Sequence, residues 1–279
     1  MNNLVKKRIR NILYYTIMIV FSFIVFLPFL ACVIVSFKSQ EEFYGTAALA
    51  LPKDWFNIDN YIVAWNKGGM AIGIRNTLRI VVISTSISVF FATAMSYVFS
   101  RFAFPLKSAI LKMYMLAALI PVTALQVGVF KIMIVAKLIN TIYGYIILMS
   151  EVDIISLYIM DRYFDAIPKS IDDAARLDGC SYMEIFFKIH LKILSPGIIT
   201  IAVLKAIFVY NEYYYANLYL QDKTKYLTIT TSLYSFTGPF GSKYNIISAG
   251  VIISIVPMFI LFLVAQKYIY NGMVSGLDY

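Results

Sequence analysis

The sequence of 279 residues is 61% hydrophobic and only 14% charged, with a mean hydropathy of +0.77. Soluble domains are usually about half apolar and a quarter charged, so this composition excludes an ordinary soluble protein and indicates one that spans a membrane. The formal net charge of +9 would suggest nucleic-acid binding in a soluble protein, but here the basic residues cluster at the ends of apolar segments, which is typical of membrane topology signals and of contacts with anionic lipid.

Six apolar segments are long enough to cross a bilayer, since roughly 20 residues of helix span the hydrocarbon layer. They are predicted at 11–37, 75–100, 108–131, 139–163, 191–215 and 245–269. We therefore expect an all-α integral membrane protein with six transmembrane helices, folded as a single domain over residues 1–279. The two cysteines, Cys32 and Cys180, lie on different elements and form no disulfide or metal-binding pattern.

Basic residues before the first apolar segment predict the side of the membrane on which the chain begins. Four Lys and Arg residues lie in the short tail over 1–10, so the positive-inside rule places the amino terminus in the cytoplasm. Six crossings return the carboxyl-terminal tail, 271–279, to the same side. The first apolar segment is too long for a typical cleaved signal peptide, so we expect it to remain as a transmembrane helix.

The longest polar-rich piece in the second half of the chain is IPKSIDDAARLDGCSYMEIFFKIHLKILSPG, between the fourth and fifth apolar segments. The predicted topology places it in the cytoplasm. It is open to three interpretations: an ordinary loop, a DNA-binding helix-turn-helix, or a docking element for a cytoplasmic partner. Membrane attachment on both sides argues against DNA binding.

The local chemistry of this piece predicts two short helices joined by a sharp turn. Ser170 followed three residues later by Asp173 is a capping pattern. Gly179 suits the left-handed conformation that ends a helix. Ser181 and Glu184 form a second capping pattern, before an apolar run that leads into the fifth segment.

The motif DDAARLDG, followed by Ile189 and Leu191, resembles the EAA loop of ABC-importer permeases, whose pattern is Glu-Ala-Ala, three residues, Gly, and later Ile-x-Leu-Pro. Asp173 stands in the place of the Glu and is one methylene shorter. Lys192 replaces the Pro, which predicts a softer break or one shifted to Pro196. The stretches SYVFSRFAFPLK, LINTIYGYIIL and YNEY are similar to the carbohydrate branch of that family, the maltose-type second permease.

The resemblance implies that the loop over about 165–190 contains a coupling helix, which sits in a cleft of a cytoplasmic ATPase and passes its nucleotide-driven closure to the membrane spans. The residues expected to perform this coupling are Ile171, Asp172, Asp173, Ala174, Ala175, Arg176, Leu177, Asp178, Gly179, Ser181 and Phe186.

The resemblance also implies the partners: a second homologous permease, an ATPase dimer, an extracytoplasmic solute-binding protein and a small-molecule sugar, at a bacterial or archaeal cytoplasmic membrane and without nucleic acid. The chain has no Gly-x-x-x-x-Gly-Lys loop, so we expect ATP and Mg to be bound by the partner ATPase and no cofactor or metal to be bound here. The sequence shows no arrangement of a nucleophile with a general base, so we do not expect an enzyme. The sole histidine, His190, lies in an apolar helix entry and is expected to be a packing residue.

Ionisable and aromatic residues within the apolar segments are candidates for the solute path, because charge near mid-bilayer is costly and usually functional. Tyrosine adds a flat apolar face and a hydroxyl, which suit a sugar. The candidates are Glu151 and Asp153 in the fourth segment, Lys205 as their partner in the fifth, and Tyr210, Asn211 and Glu212 in YNEY. The alternatives are a buried ion pair that serves packing, a location at the membrane interface, or an aromatic belt.

Two other functions stay open at the level of sequence. Within the family the solute is a sugar or another polar molecule, such as a polyamine or glycerol phosphate. Outside it, an ion-coupled secondary transporter would use Glu151 and Asp153 as proton or sodium sites, although such a carrier needs no ATPase-coupling loop.

Overall fold

The computed structural model describes residues 3–238 and 241–275, and every regular element in those ranges is a helix. In chain order the helices are α1 (Asn3–Ser36), α2 (Gln40–Gly45), α3 (Asp59–Lys67), α4 (Met70–Arg101), α5 (Lys107–Ala117), α6 (Val122–Val135), α7 (Ile142–Met149), α8 (Ile154–Asp165), α9 (Ser170–Leu177), α10 (Tyr182–Glu184), a π-helical turn (Ile185–His190), α11 (Leu191–Ile193), α12 (Ser195–Asn211), α13 (Tyr214–Tyr219), α14 (Ile229–Tyr234) and α15 (Tyr244–Ser275). The predicted tails over 1–10 and 271–279 lie partly outside these ranges.

Three helical stretches within the described residues are long and apolar enough to cross a membrane unbroken. They are Lys7–Ser36 in α1, Met70–Arg101 and Tyr244–Leu263. Two further crossings are formed if each bent helix pair counts as one span: α7 with α8, bent by 48°, and α10–α11 with α12, bent by 77°. The chain is therefore an all-α membrane protein with three to five spans by length and composition.

The third predicted segment, 108–131, is not one helix in the structure. α5 ends at Ala117 and α6 begins at Val122, with Pro121 at the residue before α6. Proline has no N–H to donate to the preceding turn, and its ring clashes with that turn, so it interrupts the helix and starts a new one. The third predicted segment is therefore two helices, separated by the residues that end at Pro121.

The fourth and fifth predicted segments are also interrupted. The fourth breaks between Met149 and Ile154, a stretch that sequence periodicity did not mark. The fifth bends by 77° at Leu194, and α12 carries Pro196 in its first turn. Lys192 in place of the family's Pro predicted either a softer break or a break shifted to Pro196. The structure has the second, a sharp bend beside Pro196.

The chain divides into two compact units, Met1–Ala71 with Ser232–Val256, and Ile72–Thr231 with Pro257–Tyr279. A buried cluster in the second unit joins side chains of α4, α8, the π-helical turn and α12. Its members are Val89, Ala92, Tyr97, Met160, Phe164, Ile167, Phe186, Leu194 and Ile201. The candidate coupling loop and the broken fourth span both lie in this unit, and the single domain expected over residues 1–279 stays a prediction.

In the first unit, a buried polar network fixes the segment after α1. The fully buried Lys38 donates from Nζ to Thr46 Oγ1 at 2.9 Å and to the Ala47 carbonyl at 2.8 Å. Asn60 Nδ2 donates to the Lys38 carbonyl at 2.7 Å, and Asn245 Nδ2 donates to Asn60 Oδ1 at 2.8 Å. Buried polar groups that are paired in this way hold a single arrangement of the chain.

Candidate functional site

The first helix of the candidate coupling loop, α9, begins one residue earlier than its capping pattern implied. Lys169 occupies the N-cap position with helical backbone angles and makes no side-chain cap. Ser170 is therefore already inside the helix, and the prediction that it caps α9 was wrong, because an N-cap serine needs extended backbone to reach the following N–H groups.

The carboxyl end of α9 is closed by Gly179 as predicted. Its φ of +83° lies in the left-handed region. The Gly179 N–H donates to the Arg176 carbonyl and the Cys180 N–H donates to the Ala175 carbonyl, both at 3.0 Å. These two bonds form a Schellman motif. A Cβ added at Gly179 would meet nothing within 4 Å, so the backbone conformation, and not space, requires the glycine.

The second helix of the loop starts with the predicted capping box. The Ser181 hydroxyl accepts the Glu184 N–H at 3.3 Å, and the Glu184 carboxylate accepts the Ser181 N–H at 3.0 Å. The helix then widens into the π-helical turn Ile185–His190, where the Leu191 N–H bonds to the Phe186 carbonyl. Single π-helical turns of this kind are frequent at functional sites.

The predicted coupling residues divide between two faces of the loop. Ile171, Asp172, Ala175 and Phe186 turn inward, with Ala175 and Phe186 fully buried. The exposed members are Asp173, Ala174, Arg176, Leu177, Asp178, Gly179 and Ser181. Leu177 is 89% exposed, so the tip of α9 presents a large apolar side chain surrounded by charged ones. The outward face therefore combines one exposed leucine with charged side chains, and the inward face ties the loop to the rest of its unit.

The inward carboxylate of α9, Asp172, contacts two basic side chains from distant parts of the sequence. Its Oδ1 lies 2.8 Å from His190 Nε2, and its Oδ2 lies 3.0 Å from Arg101 Nε. The exposed fractions of the three side chains are 14% for Asp172, 7% for Arg101 and 0% for His190. The Arg101 contact is an ion pair without hydrogen-bond alignment, because neither atom has a hydrogen-bond partner.

Arg101, the last residue of α4, also holds the end of α8. It donates from Nη2 to the Ile167 carbonyl at 2.9 Å and from Nη1 to the Phe164 carbonyl at 3.4 Å. Its guanidinium lies 5.7 Å from the centre of the Phe164 ring. The planar guanidinium can serve several acceptors at once, so one side chain connects α4, α8 and α9. The sequence analysis gave Arg101 no role beyond its place in the stretch SYVFSRFAFPLK.

His190 is a packed residue, as the sequence predicted. Its ring lies 5.2 Å from the Tyr97 ring and 5.3 Å from the Phe164 ring, centre to centre, and the side chain is fully buried. The Tyr97 hydroxyl donates to the Tyr182 carbonyl at 3.2 Å. The histidine therefore lies where α4, α8 and the second helix of the loop meet, and among the described residues Asp172 is its one charged contact.

The broken fourth span exposes backbone carbonyls that three side chains satisfy. Ser88 Oγ donates to the Glu151 carbonyl at 2.6 Å, and Lys205 Nζ donates to the same oxygen at 3.1 Å. The Tyr114 hydroxyl donates to the Val152 carbonyl. Non-helical backbone at membrane depth needs such partners and is usually found beside a cavity or in a protein interior. Ser88 and Tyr114 were missed at sequence level, since nothing there marked the break.

The six predicted path residues have different surroundings. Asp153 caps α8, accepting from the Ser156 N–H at 2.8 Å and from the Ser156 hydroxyl at 2.7 Å. Glu212 Oε1 accepts the Tyr215 N–H at 2.8 Å, and Asn211 Nδ2 donates to Ile207 of its own helix at 2.9 Å. Tyr210 and Lys205 are buried, at 4% and 3% exposure. The Glu151 side chain is 57% exposed. Its carboxylate is the one that the fold presents outward at the break.

Among residues 3–238 and 241–275, no three His, Cys, Asp or Glu side chains are grouped so that they could hold a metal ion. Both cysteines are free thiols and partly buried.

Comparison with known proteins assigns the chain to a family. Residues 69–275 match the family described as the binding-protein-dependent transport system inner membrane component. The match covers the loop and both broken spans. The chain belongs to this family, and it is therefore the membrane-embedded permease subunit of an ABC importer and not its catalytic chain.

Individual relatives resemble the chain over nearly its whole length. It is 28% identical over 276 residues to the arabinooligosaccharides transport system permease protein AraQ of Halalkalibacterium halodurans, covering 97% of this chain and 98% of that one. It is 26% identical over 253 residues to the melibiose/raffinose/stachyose import permease protein MelC of Bacillus subtilis, covering 90% of each. A chain in the crystal structure of a bacterial ABC transporter that imports the acidic polysaccharide alginate has the same fold, with a TM-score of 0.81, 21% identity and coverage of 94% and 97%.

Proposed function

We propose that this chain is a permease subunit through which an ATP-driven importer carries a sugar or oligosaccharide across the cytoplasmic membrane. The observation that carries the proposal is the family match over 69–275. The solute class comes from the relatives, whose names refer to arabinooligosaccharides, to melibiose, raffinose and stachyose, and to starch degradation products.

The importer is proposed to contain a second homologous permease, an ATPase dimer on the cytoplasmic side and an extracytoplasmic solute-binding protein. In this arrangement α5 and α6 together make the third of six crossings, interrupted at Pro121, and both termini are cytoplasmic. The basic residues at the start of α1 support this orientation. The apolar side chains that α1 exposes along its length support contact with lipid or with another subunit.

The outward face of α9 is proposed to dock into the ATPase. Its support is the exposed Leu177, flanked by Arg176 and Asp178, and the glycine-closed turn that keeps the helix short. ATP binding would close the ATPase pair, move α9 and turn the solute cavity outward. Hydrolysis would return the cavity to the cytoplasmic side. ATP and Mg are held by the ATPase in this scheme, and this chain performs no bond chemistry.

The exposed carboxylate of Glu151 is proposed to contact solute hydroxyl groups at the break of the fourth span. A carboxylate accepts hydrogen bonds from sugar hydroxyls, and an ionisable group at mid-bilayer depth that is not buried needs an aqueous or ligand partner. Asp153, Lys205 and Glu212 support the shape of this region through the helix caps and backbone bonds described above.

The proposal is tested by purifying the tagged chain from its native host in mild detergent and identifying the proteins that accompany it. We expect one ATPase and one further permease. The assembled complex, reconstituted with its binding protein, should then take up labelled oligosaccharides in an ATP-dependent and vanadate-sensitive manner. Competition with a polyamine and with glycerol phosphate identifies the solute class. Recovery of the chain without an ATPase, with uptake that follows an ion gradient and resists vanadate, would contradict the proposal.

A further inference from the structure

Adjacent aspartates of α9 point to opposite faces of the helix. Asp173 is exposed on the outward face with Leu177, whereas Asp172 is turned inward and is 14% exposed. Burial of a carboxylate is costly unless charges and hydrogen bonds compensate it. The structure meets this need with side chains from two other elements, so Asp172 joins α9 to parts of the unit that are distant in sequence.

The compensating side chains come from the ends of the elements that surround the loop. His190 ends the π-helical turn, 18 residues after Asp172, and Arg101 ends α4. Arg101 also bonds to the Ile167 carbonyl just after α8. A displacement of α9 that separates Asp172 from this pair takes both charged partners from a largely buried carboxylate and leaves His190 Nε2 without its hydrogen bond. The same displacement is much easier if α4, the end of α8 and the π-helical turn move with α9.

We propose that Asp172, paired with His190 and Arg101, is the positioning residue through which movement of α9 is passed to the membrane helices. This inference rests on the proposed coupling role of α9 and extends it by assigning separate tasks to its two faces. The outward face, with Leu177, binds the ATPase. The inward face, through Asp172, makes α9 move together with α4 and with the π-helical entry to α12.

The geometry favours transmission through these contacts over transmission through apolar packing alone. The apolar part of the inward face is small, because Ala175 offers a single methyl group and Ile171 is only partly buried against the core cluster. The charged cluster therefore makes the strongest directional contacts of the inward face.

The test compares Asp172→Asn with Asp165→Asn in the reconstituted transporter, with ATP hydrolysis and solute uptake measured on the same vesicles. Asp165 is the matched control, because it forms an exposed ion pair with Arg162 at 3.6 Å on the neighbouring α8. For Asp172→Asn we expect the ATPase to remain bound and its KM for ATP to be unchanged. The number of solute molecules moved per ATP should fall about tenfold, within the range usual for coupling between two sites. An unchanged ratio in Asp172→Asn would overturn the inference.

A second pair of variants keeps the inference testable if Asp172→Asn does not assemble. His190→Gln retains a group that can donate to Asp172, whereas His190→Leu fills similar space and cannot. We expect the glutamine variant to retain most of the solute-to-ATP ratio and the leucine variant to lose it. Equal ratios in the two variants would overturn the inference.

Leu177→Asp separates failure of this inference from failure of the proposed function. If α9 docks the ATPase, this change on the outward face should reduce ATPase recovery on purification, while the inward-face variants retain it. Normal ATPase recovery and normal transport in Leu177→Asp would refute the docking role itself and remove the basis of the inference. Loss of the ATPase in Leu177→Asp with full coupling in Asp172→Asn would refute the inference alone.

Discussion

The ammonium group of Lys205 lies closer to the backbone carbonyl of Glu151 than to its carboxylate, at 3.1 Å and 3.8 Å. The two side chains also differ in exposure, which is 2% for Lys205 and 57% for Glu151. The ammonium group of Lys205 therefore bonds mainly to non-helical main chain in the broken fourth span. The carboxylate of Glu151 is left to face outward.

We expect Lys205→Met to destabilise the chain, because the Glu151 carbonyl would lose a charged donor within a buried region. Hydrogen bonds to charged groups contribute about 1.5–3 kcal/mol, which sets the expected loss. Thermal unfolding in detergent measures it. Lys67→Met, at an exposed lysine in the last turn of α3, is the control and should leave the midpoint nearly unchanged. Equal unfolding midpoints for the two variants would argue that Lys205 does not stabilise the folded chain.

Glu151→Gln should reduce uptake without changing stability. Its carboxylate is exposed, so removing the charge disturbs little of the fold, but a solute that donates hydroxyls to it would bind less well. We expect uptake to fall about tenfold, the effect of roughly 1.4 kcal/mol. Asp153→Asn is the comparison, because Asp153 is occupied in capping α8 and an asparagine also caps well. Normal uptake by Glu151→Gln would remove Glu151 from the solute path.

Gly179→Val should uncouple ATP hydrolysis from transport while insertion into the membrane stays normal. A Cβ at this position has free space, so the effect must come from the backbone, whose φ of +83° costs a β-branched residue about 1–2 kcal/mol. Gly179→Asn separates the two causes, because asparagine tolerates the left-handed region. Transport measured per ATP should be retained by the asparagine variant and lost by the valine variant. The same loss in both would point to space or docking contacts instead.

Gly197→Ala should weaken the packing of α12 on α8. An added Cβ would lie 2.8 Å from the Tyr163 ring, too close for a real contact, so ring or helix must shift at a cost of about 1–3 kcal/mol. Small residues permit close helix approach in membranes for this reason. Gly128→Ala in α6 is the control, because nothing lies within 4 Å of its Cβ and alanine favours the helix. A lower unfolding midpoint for Gly197→Ala than for Gly128→Ala is the expected result.

Local chemistry predicted the ends of the loop helices where a few neighbouring residues decide them. The Ser181–Glu184 capping box and the left-handed Gly179 are both determined within six residues of chain. Ser170 does not cap α9, because Lys169 before it already has helical backbone angles. Those angles depend on the direction in which the chain leaves α8. The sequence pattern contains no information on that direction.

Features that depend on distant contacts could not be predicted from the sequence. Hydropathy predicted one continuous apolar segment over 139–163, although the fourth span breaks between α7 and α8. Ser150 and Glu151 do not by themselves stop a helix, so nothing in the pattern marked the break. The break persists because Ser88 and Lys205 bond to the freed carbonyl, and both come from other helices. The pairing of Asp172 with Arg101 is likewise invisible in a pattern of spacing. The inward direction of Asp172 emerges only when α4 and α9 are seen together.

The exposure of α1 has a consequence for how cells accumulate this subunit. The most apolar part of its 30-residue stretch Lys7–Ser36 is 0% buried, so contacts within the described chain do not cover it, although Val35 and Ser36 at the end of the helix are buried. Its place must be decided by lipid or by a neighbouring subunit. If a neighbouring subunit covers this helix, chains synthesised in excess of that subunit would leave the helix uncovered, and membrane quality-control proteases would remove them as orphans. The steady-state amount of the subunit would then follow the supply of its rarest neighbour and not its own rate of synthesis.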